Sequence, residues 1–341
     1  MESPILSSFP LGMPWTTFDP FLFCVHHRDA YPAGDGALGP AASLEGRDLG
    51  MDFEGIDDWR MYHGDRVPGF PGHPHRGFET ITWVKAGYID HSDSLGATAR
   101  FGLGDLQWLT AGKGIVHSEM FPLLHEDRDN PTELFQIWLN LPSADKLTEP
   151  HFSMLWNEDI PRLHHQNEAG RSADITLLAG TLDGIDAPAP PPNSWAATPA
   201  NEVGLWHVDL ESGATWTLPA ASGSETTRAI YVFDGPTIAL DGALLGDGHG
   251  AVVRCDRDVV VSAPEGAVSC LIMQARPIGE PVAQYGPFVM NTQDELQQAF
   301  DDYRATGFGG WPWDDDDPTH GHDEERFALH PDGKRLTPPS I

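Results

Sequence analysis

The sequence predicts an all-β protein: two copies of one barrel unit in a single chain, with a C-terminal helix and an extended tail. Three observations predict it. Short runs rich in β-branched and aromatic residues follow one another over residues 73–140: "FETITWVKAG", "GYIDHSDSLG", "GDLQWLTAGKG", "GIVHSEMF" and "ELFQIWLNL". Gly and Asp split them at even spacing, the pattern of a barrel or sandwich. The pattern then resumes beyond residue 200 in "GLWHVDLESGATWTLPA", "RAIYVFDGPTIALDG" and "AVVRCDRDVVVSAPEGAVSCLIMQAR". Finally, "VKAG" (84–87) aligns with "VFDG" (232–235), and "AGKGIVHSEM" (111–120) with "APEGAVSCLI" (263–272). Both pairs lie about 150 residues apart and in the same order, which marks an internal repeat.

The elements follow in order. Residues 15–30, "WTTFDPFLFCVHHRDA", read as an early strand, and the Gly/Ala/Asp-rich stretch 33–59 as a loop excursion. "APAPPPNS" (187–194) reads as a linker or crossing segment. One helix stands out over 293–306. Thr292 and Glu295 have capping-box spacing, Leu296, Ala299, Phe300 and Tyr303 share a face, and Gly307 offers a stop. The expected division is an N-terminal metal-binding barrel over 1–150 with an insertion at 33–70, and a linker over 151–200. A C-terminal metal-free barrel over 201–341 then carries the helix and the acidic tail.

Composition removes several functions. The net charge of −31 excludes direct nucleic-acid binding, which needs a basic footprint. Only four lysines (Lys85, Lys113, Lys146, Lys334) stand among 51 acidic residues; salt adaptation and ordinary acidity both fit. No apolar run reaches about 18 residues, so no transmembrane helix is expected. The N-terminus has no basic n-region of a secretory signal. Three widely spaced cysteines (Cys24, Cys255, Cys270) with no CxxC argue for a reducing cytoplasm. No P-loop, GxGxxG or nucleophile elbow occurs.

The chemistry gathers in two pairs. In a strand, side chains at i and i+2 share a face. His73 and His75 in "GHPHRGFETITWV" and His117 and Glu119 in "GIVHSEM" both have that spacing. From neighbouring strands they would converge as three imidazoles and a carboxylate. That set suits Fe(II), Mn, Ni or Cu with open positions better than a closed, sulfur-rich zinc site. The repeat alignment sets Ser269 and Leu271 opposite His117 and Glu119, and Ala221 and Gly223 opposite His73 and His75, so the fold itself does not demand the four. Glu79 is a further candidate on the same face if the alternation holds through Gly77. His91 reads as a loop residue, and His26, His27, His164, His165, His320 and His322 as residues of polar stretches.

"HPHRGFETITWV", "GDLQWLTAGKGIVHSEM" and "GPFVMNTQDEL" together resemble the pirin family, over roughly 15–145 and 200–305. The resemblance implies two cupin (double-stranded β-helix, jelly-roll) barrels, with one mononuclear metal in the first and none in the second. It implies His73, His75, His117 and Glu119 as ligands and moves Glu79 to the surrounding shell. The metal implied is Fe(II), with Ni, Mn, Cu or Zn as alternatives. Some pirins open quercetin-type flavonols with dioxygen. That implies a metal-dependent dioxygenase with a small aromatic substrate, Glu119 as the base for the flavonol 3-hydroxyl, and loss of carbon monoxide. The alternative is a non-enzymatic regulator or redox or metal sensor acting through protein partners. The longer 33–70 segment and the tail beyond 307 depart from shorter pirins, and either could cover the pocket.

Overall fold

The computed structural model describes residues 2–223 and 225–339. The chain runs through β1 (Ile5–Pro10), β2 (Phe21–Asp29), β3 (Gly69–His75), β4 (Phe78–Ala86), β5 (Tyr88–Asp93), β6 (Thr98–Gly102), β7 (Leu106–Thr110), β8 (Ile115–Met120) and β9 (Thr132–Asn140). It continues through β10 (His151–Leu155), β11 (Arg162–Gln166), β12 (Ser172–Ala179), β13 (Thr181–Leu182), β14 (Ile185–Asp186), β15 (Gly204–Leu210), β16 (Thr215–Leu218), β17 (Thr227–Asp234) and β18 (Thr237–Leu240). Then come β19 (Ala243–Gly246), β20 (His249–Val253), β21 (Val259–Ser262), β22 (Val268–Ala275), β23 (Ala283–Tyr285), β24 (Phe288–Met290), helix α1 (Gln293–Thr306), β25 (Phe327–Leu329) and β26 (Arg335–Leu336).

Two compact units form. One comprises Met1–Val25, Trp138–Asn140 and Asp159–Gly279; the other His26–Ile137, Leu141–Glu158 and Glu280–Ile341. The second of these holds the first barrel. Its two sheets have the orders β10-β7-β4-β9-β2 and β26-β25-β6-β5-β8-β3. Alternate residues close its core: Val84, Leu109 and Leu134 from one sheet, Ile89, Phe101 and Ile115 from the other. The other unit holds the second barrel, with sheets β1-β20-β17-β22-β15-β12-β11 and β16-β21-β18-β19. Val208, Ile230, Val232 and Ile272 face Trp216, Leu218, Val259 and Val261 in its core.

The repeat is real, because the same orders recur. β7-β4-β9-β2 corresponds to β20-β17-β22-β15, and β6-β5-β8-β3 to β19-β18-β21-β16. This corrects the alignment of 111–120 with 263–272. By topology, the counterpart of β8 is β21 and not β22, so Ser269 and Leu271 are not equivalents of His117 and Glu119. Ala221 and Gly223 lie outside β16, the counterpart of β3, and fall with them. Glycine-marked turns before both β8 and β22 produced the false match. The true counterparts turn Trp216, Leu218, Val259 and Val261 inward, all buried and apolar. The second barrel therefore lacks the histidine and carboxylate pairs for a different set of residues than the alignment named.

Chain boundaries also differ from those expected. β1 pairs with β20, and β11 and β12 extend the second barrel's large sheet, so the segment after 159 is no linker. Apolar Ala173, Ile175 and Leu177 on β12 belong to that core. The helix spans the expected residues, with both bonds of the capping box and Gly307 left-handed at its end. However, α1 and the tail belong to the unit of the first barrel. Leu296 and Ala299 pack with Phe288 and Met290 there, and β25 adds to β6. Excursion 33–70 sends Trp59, Met61 and Tyr62 into the first core. Among the described residues no helix is long and apolar enough to cross a membrane.

Candidate metal centre

β3 and β8 are antiparallel neighbours, and His73 sits directly opposite His117. A register shift between Phe70 and His73 lets the strand bend before it presents the histidines. His75, two residues on, shares the face of His73. The three ring centroids lie 4.5 to 4.9 Å apart. One nitrogen from each of His73, His75 and His117 falls within 4.8 Å of the others. On β8 the inward face also carries Ile115 of the core, and Phe121 just past the strand's end joins the same cluster, which puts His117 and Glu119 inside the barrel.

Burial keeps these rings neutral. It lowers His73 to about 4 and holds His75 and His117 well below the ordinary imidazole value. Neutral imidazole is the form that ligates a metal. The Nδ1–H of His73 donates to the Pro71 carbonyl at 2.8 Å, which leaves Nε2 with its lone pair. His117 is fully buried, and neither of its ring nitrogens has a hydrogen-bond partner among the described residues. A buried polar atom left in that state costs about 1–3 kcal/mol. A cation held by the three rings would satisfy it, so the residues present fit a divalent metal.

Glu119 stands apart from the three-nitrogen group. It is 3% exposed and lies opposite His91 of β5 in register. Thr82 Oγ1 donates to its Oε1 at 2.9 Å, and Gln136 Nε2 to its Oε2 at 3.2 Å. Burial raises its carboxyl above the ordinary value, while those two bonds and His91 pull it back. Each carboxylate oxygen keeps a further lone pair for another partner.

Glu79 is placed elsewhere. Gly77, at φ +85, breaks the alternation between β3 and β4. Glu79 then lies on the opposite face of β4 from Thr80 and Thr82, and Thr110 Oγ1 donates to it at 2.7 Å. Its expected position in the shell around the ligands is corrected on this ground. His91 is corrected too. It is no loop residue but a fully buried member of β5, with its ring centroid 5.5 Å from that of His117. Other histidines make local pairs: His26 with Glu133, His27 with the Tyr62 hydroxyl, His164 with Asp174, and His320 with the His91 carbonyl.

Sequence reasoning missed the polar residues that line the barrel with the candidates. Thr82 on β4, Gln107 on β7 and Gln136 on β9 share the inward face. Thr82 and Gln107 are register partners, and Gln107 is fully buried with neither amide atom hydrogen-bonded among the described residues. Polar residues at inward positions of otherwise apolar strands were the signal available. The tail comes close as well: the Gly72 amide donates to the Asp316 carbonyl one residue before His73, and Trp313 Nε1 donates to the Asp93 carbonyl.

The pirin family model matches residues 47–139, and the model of the pirin C-terminal cupin domain matches 205–309. This chain belongs to the pirin family. Its two barrels are accordingly cupin barrels. A Pseudomonas aeruginosa protein named "Putative quercetin 2,3-dioxygenase PA2418" is 34% identical over 258 residues, 76% of this chain and 85% of its own. Human pirin is 35% identical over 248 residues, 71% of this chain and 79% of its own. A solved structure titled quercetin 2,3-dioxygenase, from Acinetobacter baumannii, superposes with a TM-score of 0.70. It covers 90% of this chain and 98% of its own at 23% identity, a likeness of fold.

Proposed function

We propose that His73, His75, His117 and Glu119 hold one mononuclear divalent metal, Fe(II) in the first instance, and that the centre serves a dioxygenase acting on quercetin-type flavonols. The observation that carries the reading is the convergence of three neutral imidazoles, one of them with no other partner, inside a closed barrel. The name of the Pseudomonas relative supports the substrate class. Ni, Mn, Cu and Zn fit the same donors.

When bound, the metal supplies Lewis acidity for the substrate's enol oxygen and couples the substrate to dioxygen. The chain's own residues do the rest. Glu119 takes the 3-hydroxyl proton, its basicity kept up by burial. Thr82 and Gln136 fix the plane of that carboxylate. The apolar residues of the core around the site exclude water. Neither a basic surface for nucleic acid nor a membrane enters this reading, and the three free cysteines suit a cytoplasmic setting.

The test is loss of the flavonol absorbance when Fe(II)-loaded protein meets quercetin in air, repeated with His117→Ala and Glu119→Gln. Rapid loss is expected for the parent alone. Equal slow loss in all three defeats the enzyme reading. Metal uptake without flavonol loss would instead favour the regulatory or sensing alternative, acting through a protein partner.

A further inference from the structure

The second barrel has no metal donors at its small-sheet positions, yet its mouth is polar. A cleft of about 600 Å³ opens there, within the range of small-molecule sites. Its wall includes Ala187 to Pro190 of the proline-rich stretch that the sequence marks as a linker, and Ala220. The other side is formed by three strands of one sheet. Arg228 on β17 lies directly opposite Gln274 on β22, and Gln274 opposite Gly204 on β15. Arg228 is two residues from Ile230, which faces the core, so it points into the barrel. Gly204 leaves room for the Trp206 indole: a Cβ there would lie 2.6 Å from the ring.

Arg228 is 1% exposed and has no carboxylate partner among the described residues. Its Nε and one terminal nitrogen donate to the Gln274 side-chain oxygen, and that same terminal nitrogen also donates to the Pro219 carbonyl at 2.9 Å. The other terminal nitrogen, Nη1, is buried with no hydrogen-bond partner among the described residues, and so is Trp206 Nε1. Burial lowers the guanidinium to about 10, so it is still charged at neutral pH. Its hydrogen-bond acceptors are all neutral, and Glu202 and Asp258 act on it only through space; a buried cation without a bonded anion is expensive. Two of the three carboxylates of this wall are held by neutral donors, and the third, Asp183, lies 3.5 Å from His165 Nε2. Glu202 accepts from Ser222, Gly223 and Thr226, and Asp186 from Thr181.

We propose that this cleft binds a small organic carboxylate, with its oxyanion on Arg228 and Trp206 Nε1 and its apolar body against Val203 and the Ala/Pro wall. The second barrel is then a ligand-binding domain in its own right. Its charge partner is a buried guanidinium on the large sheet, where the first barrel uses imidazoles on the small sheet. The Ala/Pro wall, the single cation Arg228 and the acidic residues Asp183, Asp186 and Glu202 of the lining suit one carboxylate on a compact hydrophobic frame better than a polyanion.

Benzoate and its neutral amide, benzamide, test this by calorimetric titration of the full chain. Benzoate is expected to bind one per chain, at least tenfold tighter than benzamide. Arg228→Gln and Ala220→Trp should each weaken benzoate at least tenfold. The second variant fills the exposed rim and leaves the buried layer alone, so it carries the test if the first fails to fold. Absence of saturation at millimolar benzoate, equal binding of the amide, or undiminished benzoate binding to Ala220→Trp would each overturn the proposal.

Discussion

Replacing His117 by alanine separates a ligand from a packed core residue, because the two roles predict opposite energetics. Truncating a buried aromatic ring to alanine ordinarily costs about 3–5 kcal/mol. His117 carries two buried nitrogens without partners, and removing an unsatisfied polar atom offsets about 1–3 kcal/mol each. The metal-free variant should therefore lie within about 3 kcal/mol of the metal-free parent. Metal reverses the balance. With free metal at a hundredfold excess over Kd, a site present only in the folded state adds about 2.7 kcal/mol. The unit that holds the site has roughly 190 residues, for which the unfolding entropy is about 0.4 kcal/mol per kelvin. The parent's Tm should then rise by about 7 °C, and the variant's should stay fixed. Anaerobic thermal unfolding with and without Fe(II) reads both quantities. Equal rises in the two proteins, or a metal-free loss above about 4 kcal/mol, would refute the reasoning.

Two further outcomes follow from the same unit. Gly77→Ala should cost roughly 3–5 kcal/mol in urea unfolding, because its Cβ would lie 1.9 Å from the Val289 carbonyl oxygen at a φ of +85. Gly96→Ala has a similar φ of +91 but open space and should cost only about 1 kcal/mol; equal losses would remove the contact as the cause. Burial pushes Asp105 from 3.8 up to about 6, against the pull of the Gly102 and Asn157 amides and Arg326. A raised folded value means that this stabilisation is complete below about pH 3.8 and is lost as the pH rises through 6. At no more than 1.36 kcal/mol per pH unit, the parent should lose about 2 kcal/mol relative to Asp105→Asn between pH 4 and 6. A flat difference across that range would sink it.

The parts of the site that were legible in the sequence are those that depend on one strand at a time. An i, i+2 pair states its own facing, so His73 with His75 and His117 with Glu119 could be read without knowing what lay between them. Helix α1 was legible for the same reason, since Thr292, Glu295 and Gly307 act within one turn of the chain. The failures all concern relations between strands. Gly77 reverses the face on which Glu79 emerges, and only the backbone turn shows it. His91 lies in "DHSDS", polar enough to pass for a loop, yet its strand is buried throughout because β8 and β6 flank it and the tail's His320 amide bonds to the Asp90 carboxylate. The apolar face of α1 says that it must pack, not against which barrel.

The repeat gives the sharpest case, and it bears on function. Two glycine-led stretches matched in sequence because turns before strands obey the same steric rule wherever they occur. Strand order overrides that match and pairs β8 with β21. The consequence is more than a change of residue numbers. With β22 as the counterpart, the second barrel looked like a copy with its ligands replaced by small or apolar residues at scattered positions. With β16 and β21, its small sheet turns a continuous apolar surface inward: Trp216, Leu218, Val259 and Val261. The polar layer has moved to the large sheet, where Arg228 and Gln274 face each other across β17 and β22. In the first barrel, the large sheet bears Thr82 and Gln136, which hold Glu119, while the small sheet bears the imidazoles. Both barrels thus keep a polar group on the strand pair at the centre of the large sheet, β4 with β9 and β17 with β22. Only the first adds metal donors from the small sheet. That division is what one duplicated fold would need in order to carry a metal centre in one copy and a metal-independent anion site in the other.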